Sequence, residues 1–192
     1  MSNTNKMKTF ELKGTKREGL GKKATKALRS SDNIPCVLYG GSETVNFQVS
    51  TGDVRKLIYT PEIFLVSLTI DGKCVKAILK EIQFHPVSDK VLHIDFLEVI
   101  DGKPIVMEVP VKLEGLAEGV KLGGKLSQDM RKIRVKGLSE NIPEKLVVNV
   151  DNLGIGKTIQ IGALSFDNLT ILNNPINVVA SVKATRGSKG NN

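Results

Sequence analysis

The sequence predicts a mainly β protein with short helices, an α+β chain of two domains, and three observations carry that prediction. The dipeptide Asp71-Gly72 stands between two strand-like runs, FLVSLTI (64–70) and KCVKAIL (73–79), which is the signature of a tight hairpin whose turn needs positive φ. Polar and apolar residues alternate in VNFQVS (45–50) and again in VLHIDFLEVI (91–100). Beyond residue 104, five further β-segments are separated by Gly-rich or Asn-rich turns such as LAEGVKLGG and NLGIG.

In chain order, GKKATKALRSS (21–31) places Ala24, Ala27 and Leu28 at helical spacing among basic residues. IPCVLYG is strand-like and ends at two glycines. TGDVRKLIYT (51–60) has Ser50 or Thr51 as N-cap, Asp53 in its first turn and Pro61 as its stop. In the second arm of the hairpin, Val75, Ala77 and Leu79 share one parity, whereas Ile82 and Phe84 have the other. A phase change at Lys80 and Glu81 predicts a β-bulge, the device that bends a sheet toward barrel closure, with Phe84 packing inward. In VLHIDFLEVI, Leu92, Ile94 and Phe96 form a core stripe, and His93 and Asp95 share the outward face.

DGKP (101–104) is a turn, and the boundary is expected near residue 100: one domain over 1–100, a second over 101–183 and a disordered basic tail over 184–192. The later segments are PIVMEVPVKLEG, MRKIRVKGL, KLVVNVDNL, KTIQIGAL and NVVASVKA, and Pro110 inside the first argues for a sheet edge or a bulge there. The second domain's contacts are expected to be chiefly with protein.

Composition narrows the function. No run reaches the roughly 18 apolar residues of a membrane span, the first residues lack a secretory h-region, and cytosol is the expected compartment. Aromatic content of 4% with no Trp argues against a large ligand pocket. Cys36 and Cys74 read as reduced small hydrophobes, and with His85 and His93 they match no zinc spacing, so no metal or cofactor is expected. The net charge of +8 points to an anionic partner, and its placement is telling: residues 1–34 hold nine Lys/Arg against three acidic residues. A second basic cluster is Arg131, Lys132, Arg134 and Lys136.

The His93/Asp95 pair invites a catalytic reading. Residues two apart on a strand stand roughly 7 Å apart, too far for a direct carboxylate to imidazole bond without a bend or a water, and no nucleophile or metal motif accompanies them. An enzyme is not expected. GLGKKATKALR lacks the spacing of a phosphate loop but presents Lys22, Lys23, Lys26 and Arg29 on one helix, each able to neutralise a phosphate. Tyr39 can stack on a base or ribose beside Gly40 and Gly41, and Gln83 and His85 carry groups suited to base edges or 2′-hydroxyls.

Taken in order, REGLGKKATKALR, NIPCVLYGG and EIQFHPVSDKVLHIDFLEV resemble one family. It is the large-subunit ribosomal protein family numbered twenty-five, in the long two-domain form of the general stress protein type. The likeness is strong over residues 8–100 and weaker to about 182. It implies an N-terminal closed β-barrel that binds the loop E region of 5S rRNA in the central protuberance, alongside neighbouring ribosomal proteins and rRNA, without catalysis, membrane or small-molecule substrate. The resemblance carries RNA contact onto Arg17, Lys22, Lys23, Lys26, Arg29, Tyr39, His93 and Asp95, with Gln83 and His85 as neighbours. Three departures stand out: Lys26 where the family often has Arg, Ala27 where it often has a further basic residue, and Gln83-Phe84-His85-Pro86 where QRHP or QRDP is usual. Losing guanidinium forks there weakens base-specific contacts and leaves phosphate neutralisation intact. The alternative is a non-ribosomal β-scaffold or stress adaptor that binds protein through its second domain.

Overall fold

The computed structural model describes residues 7–185. They divide into two compact units, Met7–Lys103 and residues 104–185. All but the first two residues of the expected basic tail lie outside the described residues.

The first unit is a closed six-stranded barrel made of β1 (Lys8–Lys16), β2 (Asn33–Tyr39), β3 (Val45–Ser50), β4 (Phe64–Ile70), β5 (Lys73–Phe84) and β6 (Val91–Glu98), in the order β1-β3-β2-β6-β5-β4. Helix α1 (Lys22–Ser30) links β1 to β2, and α2 (Thr51–Tyr59) links β3 to β4. Strand β1 closes the barrel by pairing parallel to β4 from Lys8↔Phe64 to Gly14↔Ile70, and its end meets β3 at Thr15↔Gln48. No local pattern in KTFELKGTK announces this, because its basic residues mask the inward parity of Phe10 and Leu12.

Alternation sorts the residues. Leu12, Ile34, Cys36, Leu38, Phe47, Val49, Val66, Leu68, Ala77, Ile94 and Phe96 fill the barrel, and the Phe47 and Phe96 rings meet at 5.7 Å between centroids. Gly14 lies against Phe47, where a Cβ would come within 2.6 Å of the ring. Asp71 (φ 46°) and Gly72 (φ 86°) make the left-handed turn that their dipeptide predicts. Helix α2 begins as expected, with the Ser50 hydroxyl accepting from the Gly52 N–H at 3.3 Å. In α1 the inward residues are Ala24, Thr25 and Leu28, all part-buried; Ala27 is exposed, which corrects the predicted face.

Two bulges set the phase of the β5–β6 hairpin. The ladder runs Leu79↔Phe96 and then Glu81↔Asp95, so Lys80 is the extra residue, as the phase change predicts. A second shift follows: Gln83 faces His93 but Phe84 faces Val91, leaving Leu92 as the extra residue on β6. Two expectations are thereby corrected. Val91, not Leu92, packs against the core, and Phe84 is 44% exposed instead of packing inward.

Burial of Cys36 has a pH consequence. Its thiol is pushed far up from the ordinary 9.0 by desolvation, only partly offset by the charge of Arg17. Tyr39 is also raised from 10.0, by burial and then by the negative charges of Asp95 and Glu81. Both groups stay protonated in the folded barrel at pH values where the unfolded chain ionises, so the stability they contribute is present below the unfolded value of 9.0 for the thiol and 10.0 for the phenol and is lost as pH rises beyond each. Cys36→Ala should flatten the first part of that fall, between pH 9.0 and 10.0, read as the slope of urea midpoint against pH.

The second unit is mainly β and forms two sheets. One has the order β10-β7-β9-β12, from β7 (Ile105–Glu114), β9 (Lys132–Gly137), β10 (Leu146–Asn149) and β12 (Thr170–Ile171). The other is β11-β13-β8, from β8 (Lys125–Gln128), β11 (Thr158–Gln160) and β13 (Val178–Lys183). Ala117, Val150, Leu153 and Val182 form one of its cores. LAEGVKLGG, expected as a plain turn, contains the helical turn α3 (Glu118–Lys121), and KTIQIGAL is strand only to Gln160 before a 3₁₀ turn at Ile161–Ala163.

Strand β7 is central, yet Pro110 fits it. The Val111 N–H donates to the Arg131 carbonyl at 2.9 Å, so the opposed pair Pro110↔Lys132 asks for no N–H from proline on that side. On the other side the ladder with β10 begins only at Leu146↔Val111. The position is locally an edge, as proline requires.

Candidate nucleic-acid interface

The outer surface of the barrel across β3, β2, β6 and β5 is a polar face. Register aligns Asn46, Val37, Asp95 and Glu81 in one row, and Gln83 opposes His93 in the next, with Gln48 opposite Pro35. All these positions have the parity opposite to the core, so the same alternation that buries Phe47, Cys36 and Ile94 turns these side chains outward, Pro35 alone among them being buried. Tyr39 ends β2 on this parity. It precedes Gly40, whose φ of 99° suits glycine and whose Cβ would lie 2.5 Å from Leu97.

His93 Nδ1 and Asp95 Oδ1 are 2.7 Å apart, part-buried, the direct bond that plain strand spacing allows only with a bend or a water. The 7 Å spacing separates the bases of the side chains, and an imidazole and a carboxylate leaning toward each other span most of it. The bulges on either side help, since they twist this stretch of β6. A carboxylate oxygen accepts, so in this contact His93 Nδ1–H is the donor and Asp95 Oδ1 the acceptor. The second Asp95 oxygen stays available to a donor such as a guanine N–H or an exocyclic amine.

Arg29 is used inside the protein. Its Nε and Nη2 donate to the Leu92 carbonyl at 3.1 and 2.8 Å. Leu92 is the extra residue of the β6 bulge, so its carbonyl lacks a ladder partner, and the guanidinium fork supplies one. Arg29 thus ties the end of α1 to the strand residue just before His93, and serves as a positioning residue there. Arg29→Lys keeps the charge and loses the fork. It should cost about 1 kcal/mol of barrel stability, read as a lower urea midpoint.

Arg17 Nη2 donates to the Gly19 carbonyl at 3.1 Å and to Thr25 Oγ1 at 3.4 Å, bracing the loop into α1. Lys22, Lys23 and Lys26 are exposed along α1, whose N-cap is Gly21. His85 stands apart from the face, in the turn between β5 and β6. Its Nδ1 accepts from the N–H groups of Val87 and Ser88 at 3.2 Å each, leaving Nε2–H outward. The face therefore gathers Tyr39, Gln83, His93 and Asp95, while the cations of α1 form a separate basic stripe. Asn46, Gln48 and Glu81 belong to the same face and escaped the sequence reading, although the polar parity of VNFQVS marks the first two.

Among the described residues no cluster of three or more His, Cys, Asp or Glu is placed to hold a metal ion, and no helix is long and apolar enough to cross a membrane. Residues 12–96 match the model of the Ribosomal L25p family, and residues 104–186 that of the C-terminal domain of ribosomal protein TL5. The chain is 59% identical over 184 residues to the large ribosomal subunit protein bL25 of Azobacteroides pseudotrichonymphae, covering 95% of this chain and 97% of the relative. It is 61% identical over 186 residues to the bL25 of Porphyromonas gingivalis, covering 96% and 97%, and 54% identical over 189 residues to that of Bacteroides thetaiotaomicron, covering 96% of each.

Proposed function

This chain belongs to the ribosomal L25p family, in its long form with a TL5-type C-terminal domain, and on that premise we propose that its barrel binds the loop E region of 5S rRNA. It is a structural constituent of the large ribosomal subunit, associated with rRNA on the cytoplasmic ribosome, and not an enzyme. The choice of 5S rRNA rests on the likeness of the helix, VLYGG and HIDF segments to the family and on the match between face and ligand.

The observation that carries the proposal is the pairing of a fixed polar face with a flanking basic stripe. Lys22, Lys23 and Lys26 hold phosphates and set the register, supplying affinity without sequence information. Tyr39, Gln83, His93 and Asp95 fit the shallow groove of an irregular RNA helix, whose base edges and 2′-hydroxyls they can address. Arg17 and Arg29 fix the basic helix and the β6 strand as the face meets the RNA. Asp95 selects: a carboxylate repels bare phosphate and accepts from an amino group, and it orients His93.

Electrophoretic titration of the full chain with a 5S rRNA fragment containing loop E tests this, and no binding at moderate salt sinks it. Asp95→Asn separates the roles. The amide no longer repels phosphate or fixes the His93 tautomer, so preference for loop E over a regular duplex should fall about tenfold while the salt slope stays within about half a unit. Equal selectivity in the variant would remove Asp95 from the proposal.

A further inference from the structure

The second unit carries a charged row of its own. Of the ten Lys and Arg in residues 104–185, four fall within residues 131–136. On β9 the alternation is strict: Ile133, Val135 and Gly137 are buried, and Lys132, Arg134 and Lys136 are exposed. Alternate residues of a strand stand about 6.8 Å apart, so the three cations form a straight, evenly spaced line on one face. Strand β9 is paired on both sides, to β7 from Ile105↔Gly137 to Pro110↔Lys132 and to β12 at Thr170↔Lys136, which holds the line rigid.

Charge on this face is only partly neutralised from within. Arg134 Nη2 lies 3.2 Å from Glu108 Oε1, and Lys112 pairs with Glu114 at 2.8 Å. Among the described residues, Lys132 and Lys136 have no acidic partner. The outward positions of β7 beside them are Val106, Glu108, Pro110, Lys112 and Glu114, with no aromatic side chain. Docked protein surfaces centre on apolar and aromatic anchors and deplete lysine, the reverse of this face. A face of regularly spaced cations without stacking rings suits the phosphates of a nucleic-acid backbone, and it does not suit base readout.

We propose that the β9 row, Lys132, Arg134 and Lys136, is a second rRNA-binding surface that takes the phosphate backbone of the large subunit's long rRNA. This places RNA where the sequence pattern suggested protein contacts, and it rests on reading the chain as an rRNA-binding component of the subunit. The ligand class is an extended phosphate backbone, bound without sequence preference. Arg134, held by Glu108, marks the middle of the line, and the two unpaired lysines engage phosphates on either side.

The test uses the full chain in filter-binding titrations over a salt series, against two probes: 5S rRNA and deproteinised long rRNA of the large subunit. Lys132→Ala with Lys136→Ala should weaken binding to the long rRNA about tenfold and lower its salt slope by about 2, and leave 5S rRNA affinity within about twofold. Lys132→Arg with Lys136→Arg should restore the long-rRNA binding, since each charge returns. Unchanged long-rRNA binding in the alanine variant overturns the proposal, as does an equal loss on 5S rRNA. Lys22→Ala with Lys26→Ala should do the reverse, losing 5S rRNA alone; if it leaves 5S rRNA binding intact, the barrel reading fails while the β9 surface stands on its own arm.

Discussion

Phe96→Ala should destabilise the barrel by about 3–5 kcal/mol, a large share of the 5–15 kcal/mol that holds a domain together. Phe96 is fully buried and packs against Phe47 at 5.7 Å between centroids, so truncation removes the ring's burial, leaves a cavity and ends the aromatic contact. It also lies next to Asp95 on β6, opposite Leu79 just before the first bulge. Strand β6 presents one parity to the core and the other to the polar face, so loosening the inner row frees the outer one. RNA selectivity should therefore fall together with stability. The readout is specific to this unit: the chain has no Trp, and its two tyrosines, Tyr39 and Tyr59, both lie within Met7–Lys103. Tyrosine fluorescence in urea reports the barrel's unfolding without interference from residues 104–185. A midpoint unchanged from the parent chain would mean that the core can reclose around alanine, against the packing described.

The second large effect is on affinity. Replacing Lys22, Lys23 and Lys26 together by Ala should weaken 5S rRNA binding roughly 100-fold at moderate salt, at about 1 kcal/mol for each exposed charge. The slope of log affinity against log salt should drop by roughly 2–3, because each released phosphate contact no longer expels counterions. All three side chains are exposed and bury nothing, so the urea midpoint should stay where it was. The same three positions changed to Arg should restore both affinity and slope, since the contact proposed is with phosphates. Loss of affinity with an unchanged slope would instead mean that α1 acts through the shape of the protein.

Alternation in NFQVS and in HIDF was enough to place His93 and Asp95 outside and Ile94 and Phe96 inside, because a strand has only two faces. Asp71-Gly72 specified its turn through the backbone angles that glycine and aspartate accept. The phase change at Lys80 located the first bulge. Five segments after residue 104 were legible as strands for the same reason, whereas β8 (KLSQ) and β12 (two residues) carry no apolar alternation that marks them.

Tertiary structure decided the rest. The parallel pairing of β1 with β4 joins residues more than fifty apart, and such closure depends on which edges remain free once the other strands have paired, a property no window of sequence contains. The Leu92 bulge is another case. It exchanges Leu92 for Val91 in the core, turns Phe84 out and leaves a carbonyl that only Arg29, distant along the chain, arrives to satisfy. That contact makes Arg29 a brace for the strand that carries His93, a role its place in a basic helix does not announce. Residue type and spacing by themselves determined which face of the barrel is polar and which helix is basic, because period and charge are local. Which of those polar groups are spent on one another and which remain for a partner was decided by the closed barrel, because a hydrogen bond forms only where the fold brings donor and acceptor together.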